Sequence, residues 1–128
     1  MSPLKYVTIL VIFLFLLSLP SCAIEQKPEE VLENYISLLL RGYIDHAYEL
    51  LSAKVKEKST REEFIHALKI YQGRLKSFHL ISKKEDNGIV ALEYEVVIIH
   101  EQGKEKKLTS TAYLSQENRK WKILNPGF

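Results

Sequence analysis

The sequence predicts an α+β fold in which three helices precede a curved four-stranded antiparallel meander sheet. Apolar residues recur at helical spacing between Pro28 and Gly73, and their period changes to two from Leu75 onward. Short turn sequences divide the second half into four segments that alternate between apolar and polar residues. Helices first and hairpin-connected strands second is the element order of an α+β domain.

The first helix is predicted to begin at Pro28 and to end at Arg41-Gly42. Proline and acidic residues suit the first turn, and glycine can adopt the left-handed conformation that ends a helix. Its apolar residues at helical spacing are Val31, Leu32, Tyr35, Ile36 and Leu39.

A second, shorter helix is predicted over residues 43–51, and residues 52–58 are interpreted as a charged connection. Thr60 and Glu63 have the spacing of a capping box, so the third helix is predicted to begin there. We expect that helix to end at Gly73.

Strands are predicted over residues 75–84, 89–100, 106–116 and 119–124, with Asp86-Asn87-Gly88 as a hairpin turn. Alternation in the second strand puts one set of residues on each face. One face holds Val90, Leu92, Tyr94, Val96 and Ile98, and the other holds Ala91, Glu93, Glu95, Val97 and Ile99. We expect no bulge in this strand, and we expect the first face to pack on the first helix.

The last two strands follow the same rule. Leu108, Ser110, Ala112 and Leu114 are opposed to Thr109, Thr111 and Tyr113. In the fourth strand, Trp121 and Ile123 are predicted to face the helices.

A basic start and an apolar run of about fourteen residues before Pro20 are typical of a secretory signal, which predicts export. Leu19-Pro20-Ser21-Cys22 resembles a bacterial lipobox, in which the cysteine thiol is acylated and the chain is cut before it. This interpretation makes residues 1–21 a signal peptide, 22–27 a tether and 28–128 one domain. Two alternatives are ordinary signal-peptidase cleavage after Ala23 and an uncleaved N-terminal anchor.

The composition narrows the classes of partner. The 18 lysines and arginines nearly balance the 16 acidic residues, and the basic segments are interrupted by glutamate. A nucleic-acid surface needs clustered positive charge, so no nucleic-acid partner is predicted. Cys22 is the single cysteine, which leaves the domain without an internal disulfide.

Several segments together carry a resemblance to a known family. Pro28-Glu-Glu-Val-Leu-Glu-Asn-Tyr35, residues 42–52, the hairpin of long strands and Trp121-Lys122-Ile123 are similar to a nuclear-transport-factor-2-like domain. More narrowly, the chain resembles small bacterial lipoproteins of unknown function that carry this domain. The resemblance implies a cone, formed by a curved sheet that wraps the first helix, often with a pocket at the open end.

Four aromatic residues are candidates for lining such a pocket: Tyr35, Tyr94, Tyr113 and Trp121. Aromatic walls with polar tips suit a small apolar or peptide-like ligand, and ordinary core packing is the alternative. Glu93 and Glu95 share a strand face and would suit acid–base chemistry only if buried.

The remaining polar residues give no sharper signal. The four histidines, His46, His66, His79 and His100, have no metal-ligand spacing, so neither a metal site nor a cofactor is predicted. No catalytic residues are assigned. The first hypothesis is therefore a lipid-anchored, non-enzymatic protein on the extracytoplasmic side of the cell envelope, at the outer membrane if the source has one. Its cone would hold a small ligand or an envelope protein. The alternatives are an enzyme of the same superfold, of the isomerase, dehydratase or hydrolase type, and a purely structural protein.

Overall fold

The computed structural model describes residues 26–68 and 73–127. Cys22, the predicted signal peptide and the expected end of the third helix at Gly73 depend on residues outside these ranges. The described helices are α1 (Pro28–Leu40), α2 (Ile44–Glu49), α3 (Ala53–Lys58) and α4 (Arg61–Leu68). The strands are β1 (Arg74–Asp86), β2 (Ile89–Ile99), β3 (Glu105–Glu117) and β4 (Lys120–Asn125). They form one antiparallel sheet in the order β1-β2-β3-β4, so the predicted fold class is confirmed.

Helix α1 lies against the sheet and supplies the helical half of the core. Its buried face is the predicted one, extended by Pro28 and Leu40. The helix ends where predicted: Gly42 has φ +85°, and its N–H donates to the Leu39 carbonyl oxygen at 3.2 Å. Only glycine adopts this backbone conformation without a steric penalty.

The interpretation of residues 52–58 as a connection is wrong, because Ala53–Lys58 form the helix α3. The Ser52 hydroxyl caps it by accepting a hydrogen bond from the Val55 N–H at 3.3 Å. The helix has no buried residue and Val55 is its one half-buried apolar side chain. A helix without an apolar stripe gives no periodic signal in the sequence.

The capping box before α4 is confirmed. The Glu63 N–H donates to the Thr60 hydroxyl at 3.2 Å, and the Thr60 N–H donates to the Glu63 carboxylate at 3.4 Å. Each residue thus satisfies a backbone donor that the start of a helix leaves unpaired.

Strand β2 keeps strict alternation along its whole length. Its inward residues Val90, Leu92, Tyr94, Val96 and Ile98 are at most 2% exposed, and its pairing with β3 has no register shift. The irregularities lie in β1, which bulges between Leu75 and Ser77 and again between Leu80 and Ser82. The prediction that β2 contains no bulge is therefore confirmed.

The second β1 bulge changes which face the following residues occupy. Lys83 comes to lie opposite Leu92, on the inner face of the sheet. From there its ammonium group forms an ion pair with the Glu29 carboxylate at 3.2 Å, in the first turn of α1. The bulge thus ties an end of β1 to the start of α1.

The outer edge of β4 is covered by the chain that joins α2 to α3. Leu51 forms a parallel bridge with Ile123. The Ser52 N–H donates to the Ile123 carbonyl oxygen at 2.8 Å, and the Ile123 N–H donates to the Leu50 carbonyl oxygen at 2.9 Å. This bridge fixes β4 against the helical layer.

Candidate functional site

Two hydroxyl groups stand side by side on the inner face of the sheet. Tyr94 of β2 and Ser110 of β3 are direct partners in the strand register. The Tyr94 hydroxyl donates to the Pro126 carbonyl oxygen at 2.6 Å, and the Ser110 hydroxyl donates to the Gly127 carbonyl oxygen at 2.7 Å. The segment Asn125–Gly127, named here the tail segment, is thereby held against the inner face by two consecutive carbonyl groups.

A third hydroxyl is buried close to this pair. Tyr35 of α1 is fully buried, and its hydroxyl has no hydrogen-bond partner among the described residues. Burial raises the pKa of Tyr35, and the neighbouring Tyr94 raises it further. Burial also raises the pKa of Tyr94, although the neighbouring Ser110 hydroxyl acts in the opposite direction. Both phenols therefore stay neutral and able to donate throughout the physiological pH range.

The backbone of the tail segment closely approaches β3. Gly127 has φ +96°, and its N–H donates to the Asn125 side-chain oxygen at 2.9 Å. A Cβ atom at this position would stand 2.5 Å from the Ser110 hydroxyl oxygen and 2.9 Å from the Thr111 carbonyl oxygen. Both the conformation and the lack of space therefore require glycine here.

The four predicted pocket residues do not form one group. Tyr35 and Tyr94 lie together in the core, where the Tyr94 ring also stacks on Phe78 at a centroid distance of 5.7 Å. Tyr113 is 42% exposed and lies on the opposite face of β3, beside Ala91 of β2. The alternation that buries Ala112 and Leu114 necessarily directs Tyr113 outward.

Trp121 lies apart from the hydroxyls, at a cleft on the β4 side. It is half-buried, packs against the core, and lines a cavity of about 690 Å³. The other lining residues are Gln26, Glu30, Glu49, Leu50, Arg119, Lys120 and Lys122. Within this cleft, the Lys122 ammonium group donates to the Glu49 carbonyl oxygen at 2.8 Å. The cleft is mixed in charge.

Glu93 and Glu95 lie on the outer face of the sheet. The Ser82 hydroxyl donates to the Glu93 carboxylate at 3.3 Å, and Lys107 pairs with Glu95 at 3.4 Å. Among residues 26–68 and 73–127, the buried side chains include no aspartate, glutamate, histidine, lysine or arginine. The described core thus contains hydroxyl donors without a carboxylate or imidazole beside them.

The histidines remain on separate elements. His46 makes an edge contact with the Tyr43 ring, and His100 lines a 530 Å³ surface pocket with Arg41 and Arg74. Within the part of the chain that the structure describes, no three His, Cys, Asp or Glu side chains are placed to hold a metal ion. In the same part, no helix has the length and apolar character needed to cross a bilayer.

Neither the position of the tail segment nor the role of Ser110 is predicted from the sequence. The sequence places Ser110 on one strand face with Leu108, Ala112 and Leu114, and a serine in such an apolar set is an available signal of a polar contact. The Pro126-Gly127 pair follows the predicted fourth strand, and its sequence indicates only that the strand ends there. Its folding back could not be inferred, because the partners are far apart in the chain.

The helical layer and the curved four-stranded meander define an α+β domain of the NTF2-like class. Residues 27–124 match the family described as the NTF2-like N-terminal transpeptidase domain, and the chain belongs to that family. No curated protein matches the chain significantly.

Solved structures support the same fold. A Campylobacter jejuni protein, provisionally described as an NTF2-like transpeptidase, is 14% identical with a TM-score of 0.58, over 77% of this chain and 98% of that one. A SEC-C motif protein from Psychrobacter arcticus is 9% identical with a TM-score of 0.59, over 80% of this chain and 60% of that one. A second SEC-C motif protein, RPA3114 from Rhodopseudomonas palustris, is 8% identical with a TM-score of 0.54, over 69% and 67%. At these identities the likeness concerns the fold alone.

Proposed function

We propose that this protein is a lipoprotein of the bacterial cell envelope that acts by binding and not by catalysis. Acylated Cys22 would hold the domain at the membrane, with residues 22–27 as the tether. One observation supports binding above all: three neutral hydroxyls, those of Tyr35, Tyr94 and Ser110, lie on the inward faces of α1, β2 and β3. Such groups orient a ligand through hydrogen bonds.

The alternative of an enzyme loses its candidate residues. It required Glu93, Glu95 or a histidine to face the interior of the cone. Both glutamates face outward, and His46, His66 and His79 are exposed. The description of the family and the name of the Campylobacter jejuni protein both mention a transpeptidase. Acyl transfer needs a nucleophile that is activated by an adjacent base. The inward serine, Ser110, donates its proton to the Gly127 carbonyl oxygen and has no described carboxylate or imidazole partner. The proposed function therefore does not include transpeptidase activity, although the family description mentions it.

The anchoring part is tested by fatty-acid labelling and detergent-phase partition in a bacterium that processes lipoproteins. Wild type should incorporate label and enter the detergent phase, and Cys22→Ser should do neither. Ser18→Ala changes a small polar residue of the same leader outside the lipobox, and should behave as wild type. Equal labelling of wild type and Cys22→Ser would refute acylation of Cys22.

The binding part is tested with the chain that begins at residue 23, which retains every described contact. Small-molecule fractions from the envelope are titrated into the ¹⁵N-labelled protein, with cytoplasmic fractions as a control. An envelope fraction should shift the amide signals of Tyr94 and Ser110, and Ser110→Ala should weaken this response. Ser115→Ala, on the opposite face of the same strand, should not. If no fraction shifts these signals, the interior is filled by the chain itself and the role is structural.

A further inference from the structure

The tail segment occupies the inner hydroxyl pair in the manner of a bound peptide. Tyr94 and Ser110 lie on neighbouring strands, and each donates to one of two consecutive backbone carbonyls. Neither contact involves a side chain of the tail segment. Any peptide with two consecutive carbonyls in the same arrangement could therefore replace it.

The shape of the contact adds a requirement for one residue type. At Gly127, a Cβ atom would collide with Ser110 and with the Thr111 backbone. At Gly42, Gly88 and Gly103, which also have positive φ, nothing stands within 4 Å of the same hypothetical atom. The site thus selects glycine at its second position by contact as well as by backbone conformation.

The tail segment leaves part of the hydrogen-bonding capacity unused. The Tyr35 hydroxyl is buried beside Tyr94 and has no described partner. A buried donor without an acceptor costs free energy, so the self-occupied state is not the best complement to this set of hydroxyls. A ligand that brings a third acceptor to Tyr35 would have an advantage over the tail segment.

We propose that the inner hydroxyl pair is a receptor for a peptide segment with two consecutive carbonyls and glycine at the second, and that the tail segment keeps this receptor occupied until an external peptide displaces it. This inference rests on the proposed binding function and deepens it by naming the ligand class. The tail segment then acts as a tethered competitor. Because the tail segment is covalently attached, its effective concentration at the receptor is high. An external peptide then binds with an apparent Kd equal to its intrinsic Kd divided by the fraction of receptors that are open.

The test compares chains in which the tail segment is removed or lifted. One variant ends at Asn125, and a second, Gly127→Ala, keeps the full length and introduces the Cβ collision. Gly103→Ala is the matched control, because φ is +77° there and the added atom meets nothing within 4 Å. The probe is acetyl-Asn-Pro-Gly-amide, compared with acetyl-Asn-Pro-Ala-amide, and binding is measured by calorimetry and by the amide signals of Tyr94 and Ser110.

Both opened variants should bind the glycine peptide at least about tenfold more tightly than wild type, since self-occupation reduces the open fraction. Gly103→Ala should match wild type, and the alanine peptide should bind at least about tenfold more weakly than the glycine peptide. If the shortened chain does not fold, as judged by amide dispersion, Gly127→Ala decides the question. Equal binding by wild type and Gly127→Ala would overturn self-occupation. If no peptide binds to an opened variant while envelope fractions still shift the Tyr94 signal, the peptide class is wrong and the proposed binding function stands.

Discussion

Replacing Tyr35 by phenylalanine should make this protein more stable, which is unusual for a change in a fully buried residue. The substitution removes one oxygen atom and keeps the ring that packs in the core. That oxygen is buried and has no hydrogen-bond partner among the described residues. In the folded state it has lost the hydrogen bonds that water gave it, and nothing described replaces them.

The size of the effect follows from the cost of an unsatisfied buried hydroxyl. That cost is about 1–3 kcal/mol, and the small void left by the missing oxygen offsets about a few tenths of it. Tyr35→Phe should therefore raise the free energy of unfolding by about 1 kcal/mol. For a domain of this size, such a gain corresponds to a rise of about 4–8 °C in Tm.

Tyr94→Phe is the matched comparison, because it removes the same atom from an equally buried tyrosine. The Tyr94 hydroxyl donates to the Pro126 carbonyl oxygen at 2.6 Å, so its loss should lower the free energy of unfolding by about 0.5–1.5 kcal/mol. Urea denaturation of both variants, with equal m-values, measures the two changes. A loss of more than about 1 kcal/mol in Tyr35→Phe would refute the reasoning, since it would mean that this hydroxyl is satisfied.

Three further predictions concern the core, the cleft and pH. Val96→Ala should lower the free energy of unfolding by about 1–3 kcal/mol, because it removes buried apolar surface and leaves a cavity. Val97→Ala, on the outer face of the same strand, should lower it clearly less. Equal losses in the two variants would contradict the assignment of the strand faces. Trp121 fluorescence should be blue-shifted in the folded protein and should redden cooperatively in urea; emission at the water-exposed limit before denaturation would refute its packing against the core. Lys83→Met should lower stability at pH 7 by about 0.2–1 kcal/mol. Partial burial by itself would raise the pKa of Glu29, but its backbone hydrogen bond and Lys83 lower the pKa overall. The stability difference between wild type and Lys83→Met should therefore fade as the pH falls below 4.5 and Glu29 becomes protonated. A stability difference that persists in acid would exclude the ion pair as its cause.

The parts of the fold that the sequence predicted well are those with strong local periodicity. Helix α1 and strand β2 each bury a regular set of apolar residues, and the β1–β2 hairpin has a turn sequence that favours φ above zero at Asn87 and Gly88. Helix α3 was missed because a short, charged helix with Val55 as its one half-buried apolar residue has no face to detect. The β1 bulges were missed because an extra residue in a strand is specified by its partner strand.

The candidate site was only partly predictable for a similar reason. Tyr35 and Tyr94 were identified because helix and strand periods place them on inward faces. The hydroxyl of Tyr94 meets Pro126, which is 32 positions away, and no local pattern connects the two. Tyr113 was grouped with them by residue type, whereas its strand position directs it outward. Face assignment was thus a better guide than aromatic character.

The two borders of the sheet bear on how copies of this protein behave at high concentration. An open strand edge is a template for association between molecules, and proteins often disrupt it with bulges, charges or a covering segment. On one side, the Leu51 bridge to Ile123 covers part of β4. On the other, β1 bulges twice, and its last residues include Lys83, Lys84, Glu85 and Asp86. We therefore expect the folded domain to resist edge-to-edge aggregation even where many copies are crowded onto one surface.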